Sequence, residues 1–196
     1  MNRLHDFWFG EIELTPAYYE KQLRRWFWGT DIDFDRACQE KYAHLLEEEF
    51  FVPDNSRDYL SLIVLLDQVP RNAFRGSPRA YEYDHFAQSL ALAALGTKFE
   101  SELTLPERIF LYMPLEHAED LRLQELSVEK FYELHRLAPK ELRPWTQLGV
   151  DKAIEHQKTI QRHGLFPKRP RHSLVSSSDH SSNNPSSRFS SDSRRA

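Results

Sequence analysis

Helix punctuation is the feature that most narrows what this chain can become. Apolar residues recur three and four apart, and the breaks between runs carry helix starts and stops, not hairpin turns. Thr15-Pro16 and Ser77-Pro78 pair a capping residue with a proline at the first helical position, and Thr104, Pro106 and Glu107 open another helix. Six glycines serve the whole chain and none follows Asn or Asp, so the tight-hairpin signature is missing. Leu4, Phe7 and Trp8 share a face of a short helix ended by Gly10; the next runs through Tyr19, Leu23, Trp26 and Phe27 to Gly29. The pattern predicts a third helix over about 33–51, a fourth capped by Ser56 and stopped at Pro70, and a fifth from Ser77-Pro78 to Gly96. A further helix is interrupted at Pro114 and resumes through Leu121 and Leu126, Ser127 to Leu137 either continuing it or forming a separate helix, and a last one over about 146–163 closes at Gly164. Seven to nine helices with short connections make an all-α fold of antiparallel helix pairs. No 34-residue self-similarity is visible.

Composition divides the chain near residue 172. From Ser173 to Ala196, eleven of 24 residues are Ser, too few apolar groups to offset the entropy of ordering, so 173–196 is expected to be a disordered tail on one domain over 1–168. The 196 residues carry 26 Lys+Arg against 30 Asp+Glu, a net charge of -4, which gives no basic field for nucleic acid. No apolar run is long enough to span a membrane, and the first residues lack the apolar core of a secretion signal. The lone Cys38, on the apolar face of its helix, reads as a small core residue and rules out an internal disulfide. A soluble, cytoplasmic protein is the expectation.

Three clusters could carry chemistry. The first, Asp67-Gln68-Val69-Pro70-Arg71-Asn72 with Arg75 and Arg79, crowds ionic and amide groups at a helix–turn–helix corner that could hold a carboxylate or phosphate. It reads equally as a buried corner in which Asp67 pairs with Arg71. The second is Glu116-His117-Ala118-Glu119-Asp120 after Pro114. The dipole of a new helix explains its acids but not His117, the candidate general base. The third places His156 one turn from Ile160, ahead of His163-Gly164-Leu165-Phe166-Pro167. Glu82 and His85 have the spacing of a di-iron ligand pair but lack a second copy, and no phosphate loop or nucleophile elbow is present; no metal and no cofactor are expected. The aromatic triplets Phe7-Trp8-Phe9 and Trp26-Phe27-Trp28 cannot all face one side of a helix, which predicts either burial on two sides, the favoured reading, or one ring lining a groove.

Four segments in order resemble a known family: Asp6-Phe7-Trp8-Phe9-Gly10; Leu66-Asp67-Gln68-Val69-Pro70-Arg71-Asn72-Ala73-Phe74-Arg75-Gly76-Ser77; Phe110-Leu111-Tyr112-Met113-Pro114-Leu115-Glu116-His117-Ala118-Glu119-Asp120; and Arg162-His163-Gly164-Leu165-Phe166-Pro167-Lys168-Arg169. With Trp26-Phe27, they are similar to the bacterial domain-of-unknown-function family 924 over about residues 4–169. The resemblance implies a tetratricopeptide-like right-handed superhelix and no assigned reaction. It places Asp67, Gln68, Arg71, Asn72, Arg75, Glu116, His117 and His156 at matching positions. After Arg169 the chain departs from the family's pattern and passes into the Ser-rich tail.

Two functions follow. One is a binding module whose polar groove takes a protein segment or a small anionic ligand through Arg71 and Arg75. The other is a cofactor-independent hydrolase or lyase with His117 as general base, Asp67 or Glu116 as its orienter and an Arg clamp on the substrate.

Overall fold

The computed structural model describes residues 2–26 and 31–171. The expected tail over 173–196, and the readings of Phe27, Trp28 and Gly29, lie outside the described residues. Among the described residues the structure is all-α, with nine α-helices: α1 (Asn2–Phe9), α2 (Pro16–Trp26), α3 (Ile32–Tyr42), α4 (Ser56–Ala73), α5 (Asp84–Ala94), α6 (Lys98–Ser101), α7 (Leu105–Glu116), α8 (Leu121–Leu137) and α9 (Arg143–His163). Short 3-10 turns occupy Ala43–Glu47, Pro78–Tyr81 and Lys140–Leu142. None of the described helices is long and apolar enough to cross a membrane.

Most of the caps act where the sequence puts them. Thr15 Oγ1 accepts from the Tyr18 N–H, and Thr104 and Glu107 form a reciprocal capping box at α7. Gly164, at φ 69°, turns the chain out of α9 in the left-handed region that a side chain would resist. Asp120 Oδ1 caps α8, accepting from the N–H groups of Arg122 at 2.8 Å and Leu123 at 3.3 Å. Asp120→Ala is therefore expected to cost about 1 kcal/mol, read as a lower urea midpoint, and Asp120→Asn to restore most of it.

Several boundaries differ from the expectation. Asn55, not Ser56, caps α4, its Oδ1 accepting from the Asp58 N–H at 2.9 Å. Neither Pro70 nor Pro114 ends its helix: α4 runs on to Ala73 and α7 to Glu116. A proline removes its own donor and crowds the carbonyl four residues before it, and packing around these buried turns outweighs both and holds the following residues helical. The expected helix over 33–51 is α3 followed by the tighter turn Ala43–Glu47, and the one from Ser77 is a single 3-10 turn before α5.

Helix α4 is the hub. Fourteen of its eighteen residues are buried, which is the burial of a helix covered on every side, and it packs against α1, α3, α5 and α7. Helices α7, α8 and α9 follow one another through short connections, each against the one before. Rings from α1, α2 and α7 meet in an aromatic core. The Phe110 ring lies edge-on to Trp8, Phe9 and Trp26, with centroids 5.6, 5.3 and 4.7 Å away. Trp8 and Phe9 are fully buried while Phe7 stacks on Phe34 at 5.0 Å, so α1 is covered on two sides, the favoured reading of its triplet. Cys38 is buried in the same core, and that burial pushes its thiol pKa up to about 12.

Candidate functional site

The C-terminal halves of α4 and α7 bring Asp67 and His117 together across fifty residues of sequence. His117 Nδ1 lies 2.9 and 3.0 Å from the two Asp67 oxygens, and no described residue bonds its Nε2. A carboxylate on Nδ1 fixes the ring and leaves Nε2 as the working nitrogen. His117 is the C-cap of α7, not part of a new helix's first turn as its sequence context suggests.

Asp67 is 1% exposed and its neighbours keep it ionised. Burial alone would raise its pKa, but the charges of Arg71 and His117, with hydrogen bonds from His117 and Gln68, hold the carboxyl well below the usual range. Gln68 Nε2 donates to Asp67 Oδ2 at 2.5 Å, and Arg71 Nη1 stands 3.2 Å from Oδ1. Arg71 is itself gripped by Asp84 through two bonds of 2.7 and 2.8 Å. Asp84 takes a second guanidinium, Arg169, at 3.2 Å, and Arg169 Nη2 donates to the His117 carbonyl at 2.8 Å. Arg169 comes from the segment after α9, sandwiched between the Tyr81 and Phe166 rings at 4.6 and 4.4 Å. The result is a chain of alternating charge, Asp67, Arg71, Asp84 and Arg169, whose far end returns to the backbone of His117.

A second imidazole stands beside the first. The His156 and His117 ring centroids are 6.3 Å apart, and buried Glu116 places Oε1 2.8 Å from His156 Nδ1, in ion-pair range though not in hydrogen-bond alignment. Glu116, His117 and His156 form the polar end of a cavity of about 500 Å³. Leu23, Trp26, Ile109, Phe131, Trp145 and Leu148 supply much of its apolar wall. Gly149 lets the Phe131 ring in: a Cβ there would stand 2.8 Å from Phe131 Cδ1.

Of the residues singled out from sequence, Asp67, Gln68, Glu116, His117 and His156 come together. Arg71 is near but faces Asp84 and does not line the cavity. Asn72 bonds back to the Gln68 carbonyl, and Arg75 makes a two-pronged bond to Asp35 on the outer side of the corner, so neither belongs to this cavity. Tyr19 and Trp145, which line it, carry no local sequence signal of a site, whereas Trp26 belongs to an aromatic triplet that the sequence marks. Among the described residues no group of three His, Cys, Asp or Glu side chains is arranged to hold a metal ion.

Comparison with known proteins gives a family and a fold relative. No curated protein matches the chain. A solved structure of a protein of unknown function from Agrobacterium tumefaciens, ATU0120, is 25% identical, with 84% of each chain covered and a TM-score of 0.51. The profile of the family described as bacterial protein of unknown function (DUF924) matches residues 4–174. With most of its length inside that match, the chain belongs to the DUF924 family.

Proposed function

We propose that this protein binds a small, largely apolar molecule in the cavity between α2, α7, α8 and α9 and acts on it by proton transfer, with His117 as general base and Asp67 as its orienter. The observation that carries this reading is the Asp67–His117 bond, which leaves Nε2 unbonded by any described residue at the polar end of a cavity of about 500 Å³. Such an arrangement suits a cofactor-independent hydrolase: Nε2 takes the proton of a water as its oxygen attacks a carbonyl, and the leaving group departs with that proton. The alternative, a groove gripping a protein segment through Arg71 and Arg75, has less support, because both guanidiniums already make two-pronged bonds, to Asp84 and Asp35.

The test is hydrolysis of 4-nitrophenyl esters from acetate to hexanoate by the full chain. His117→Ala is expected to lower kcat/KM about a hundredfold or more, and Asp67→Asn to lower kcat with little change in KM. A wild-type protein no faster than His117→Ala on every ester would remove the catalytic reading.

A further inference from the structure

One buried hydroxyl bears on what the cavity takes. Five tyrosines are buried among the described residues. Four donate to protein acceptors: Tyr18 to the Phe9 carbonyl at 2.9 Å, Tyr59 to the Leu90 carbonyl at 2.9 Å, Tyr83 to the Leu46 carbonyl at 3.0 Å and Tyr112 to Glu100 at 2.7 Å. Tyr19 differs: it is 1% exposed, it lines the cavity, and its hydroxyl has no partner among the described residues. Leaving a buried hydroxyl unpaired costs about 1–3 kcal/mol, a cost that a ligand's acceptor atom would remove. Burial raises the Tyr19 pKa, so the group is a neutral donor at any physiological pH.

The charges around the cavity restrict that acceptor. Glu116 and Asp151 are acidic lining residues. Lys152 is the one Lys or Arg among the described lining residues, and its Nζ is 2.6 Å from Glu155. Each imidazole already faces a carboxylate, and Arg71 and Arg169 are engaged by Asp84. An anion entering this space would meet Glu116 with no unpaired cation to receive it, and burying an unpaired charge is far costlier than burying a neutral carbonyl.

Resting on the cavity reading above, we propose that the ligand is an uncharged carbonyl compound with an aryl or branched-alkyl body, an ester or amide and not the corresponding acid, and that Tyr19 donates to its oxygen. If the protein hydrolyses such an ester, water adds its oxygen to the carbonyl carbon, the C–O bond to the alcohol breaks, and the alcohol leaves with the proton. The product is then a carboxylate, the species that this cavity disfavours, so the same charges that admit the substrate expel the acid.

The test uses a matched pair of probes, 1-naphthylacetamide and 1-naphthylacetate, followed by the indole N–H resonances of Trp26 and Trp145 in the full-length protein. The amide is expected to give saturable shifts with a Kd at least tenfold below that of the acid. Tyr19→Phe should weaken amide binding about three- to tenfold without lowering the unfolding midpoint, since that hydroxyl makes no bond to a described residue. Equal or tighter binding of the acid overturns the proposal, as does the absence of saturable amide shifts or an unchanged amide Kd in Tyr19→Phe. The two readings fail separately. Tyr19-dependent amide binding without His117-dependent hydrolysis keeps the ligand class and sinks the catalysis; His117-dependent hydrolysis with an unchanged amide Kd in Tyr19→Phe does the reverse.

Discussion

Asp67→Ala should destabilise the protein by about 3–5 kcal/mol, the cost of breaking a buried ion pair from one side. The carboxylate accepts from Gln68, bonds His117 and pairs with Arg71, so its removal leaves a buried amide without its acceptor and takes from Arg71 one of its two carboxylates. With an m-value of about 2 kcal/mol/M, the urea midpoint at pH 7 should fall by roughly 2 M. Asp67→Asn keeps the shape and an acceptor and should lose clearly less. The loss also has a pH signature. In the unfolded chain an aspartate titrates near about 3.9, and folding holds Asp67 below that. Its contribution is therefore complete above that pH and drains away as the pH falls below it, toward the folded value. The gap between wild type and Asp67→Ala should narrow on acidification below about pH 4. A gap that stays constant from pH 7 to pH 3 would show that the carboxylate's charge is not what stabilises the corner.

Phe110→Ala should cost a similar amount, about 3–5 kcal/mol, for a different reason. Phe110 is 1% exposed and meets three aromatic edges at once. Deleting the ring removes its burial and all three contacts and opens a void that α1, α2 and α7 cannot close without moving their own large side chains. Trp26 forms both one wall of that void and one wall of the ligand cavity. The variant should accordingly lose amide binding as well as stability, whereas Phe110→Leu should recover part of both. Calorimetric unfolding of the two variants measures the first effect. A loss under about 1 kcal/mol for the alanine variant would mean that the cluster repacks freely.

The helices were legible because their ends are written locally. A threonine before a proline, a glutamate three residues into α7 and a glycine after His163 each act through hydrogen bonds or φ angles confined to one turn. What misled was also local. Proline at 70 and at 114 reads as a stop, yet both lie in buried turns where tertiary packing outweighs one missing donor. The site was half legible. Polar residues crowded at the corner after Leu66 and around His117 marked one end of it, and Asp67 and His117 do meet. Arg71, Asn72 and Arg75 looked like the same feature because they share the segment, but helical geometry turns each toward a different neighbour: Asp84, the Gln68 carbonyl and Asp35. Tyr19 and Trp145 were invisible for the opposite reason. An aromatic at helical spacing looks alike whether it faces a core or a hollow, and only the arrangement of α2, α7 and α9 around the cavity separates the two.

The run of charges from Asp67 through Arg71, Asp84 and Arg169 back to the backbone of His117 has an evolutionary consequence. Asp67, Arg71 and Asp84 each serve two side-chain partners, so exchanging any one of these three leaves a partner unmatched on each side. Drift at this corner has to come as concerted replacements, and a descendant that abandons the arrangement should abandon it whole, trading the set for apolar packing in one correlated step.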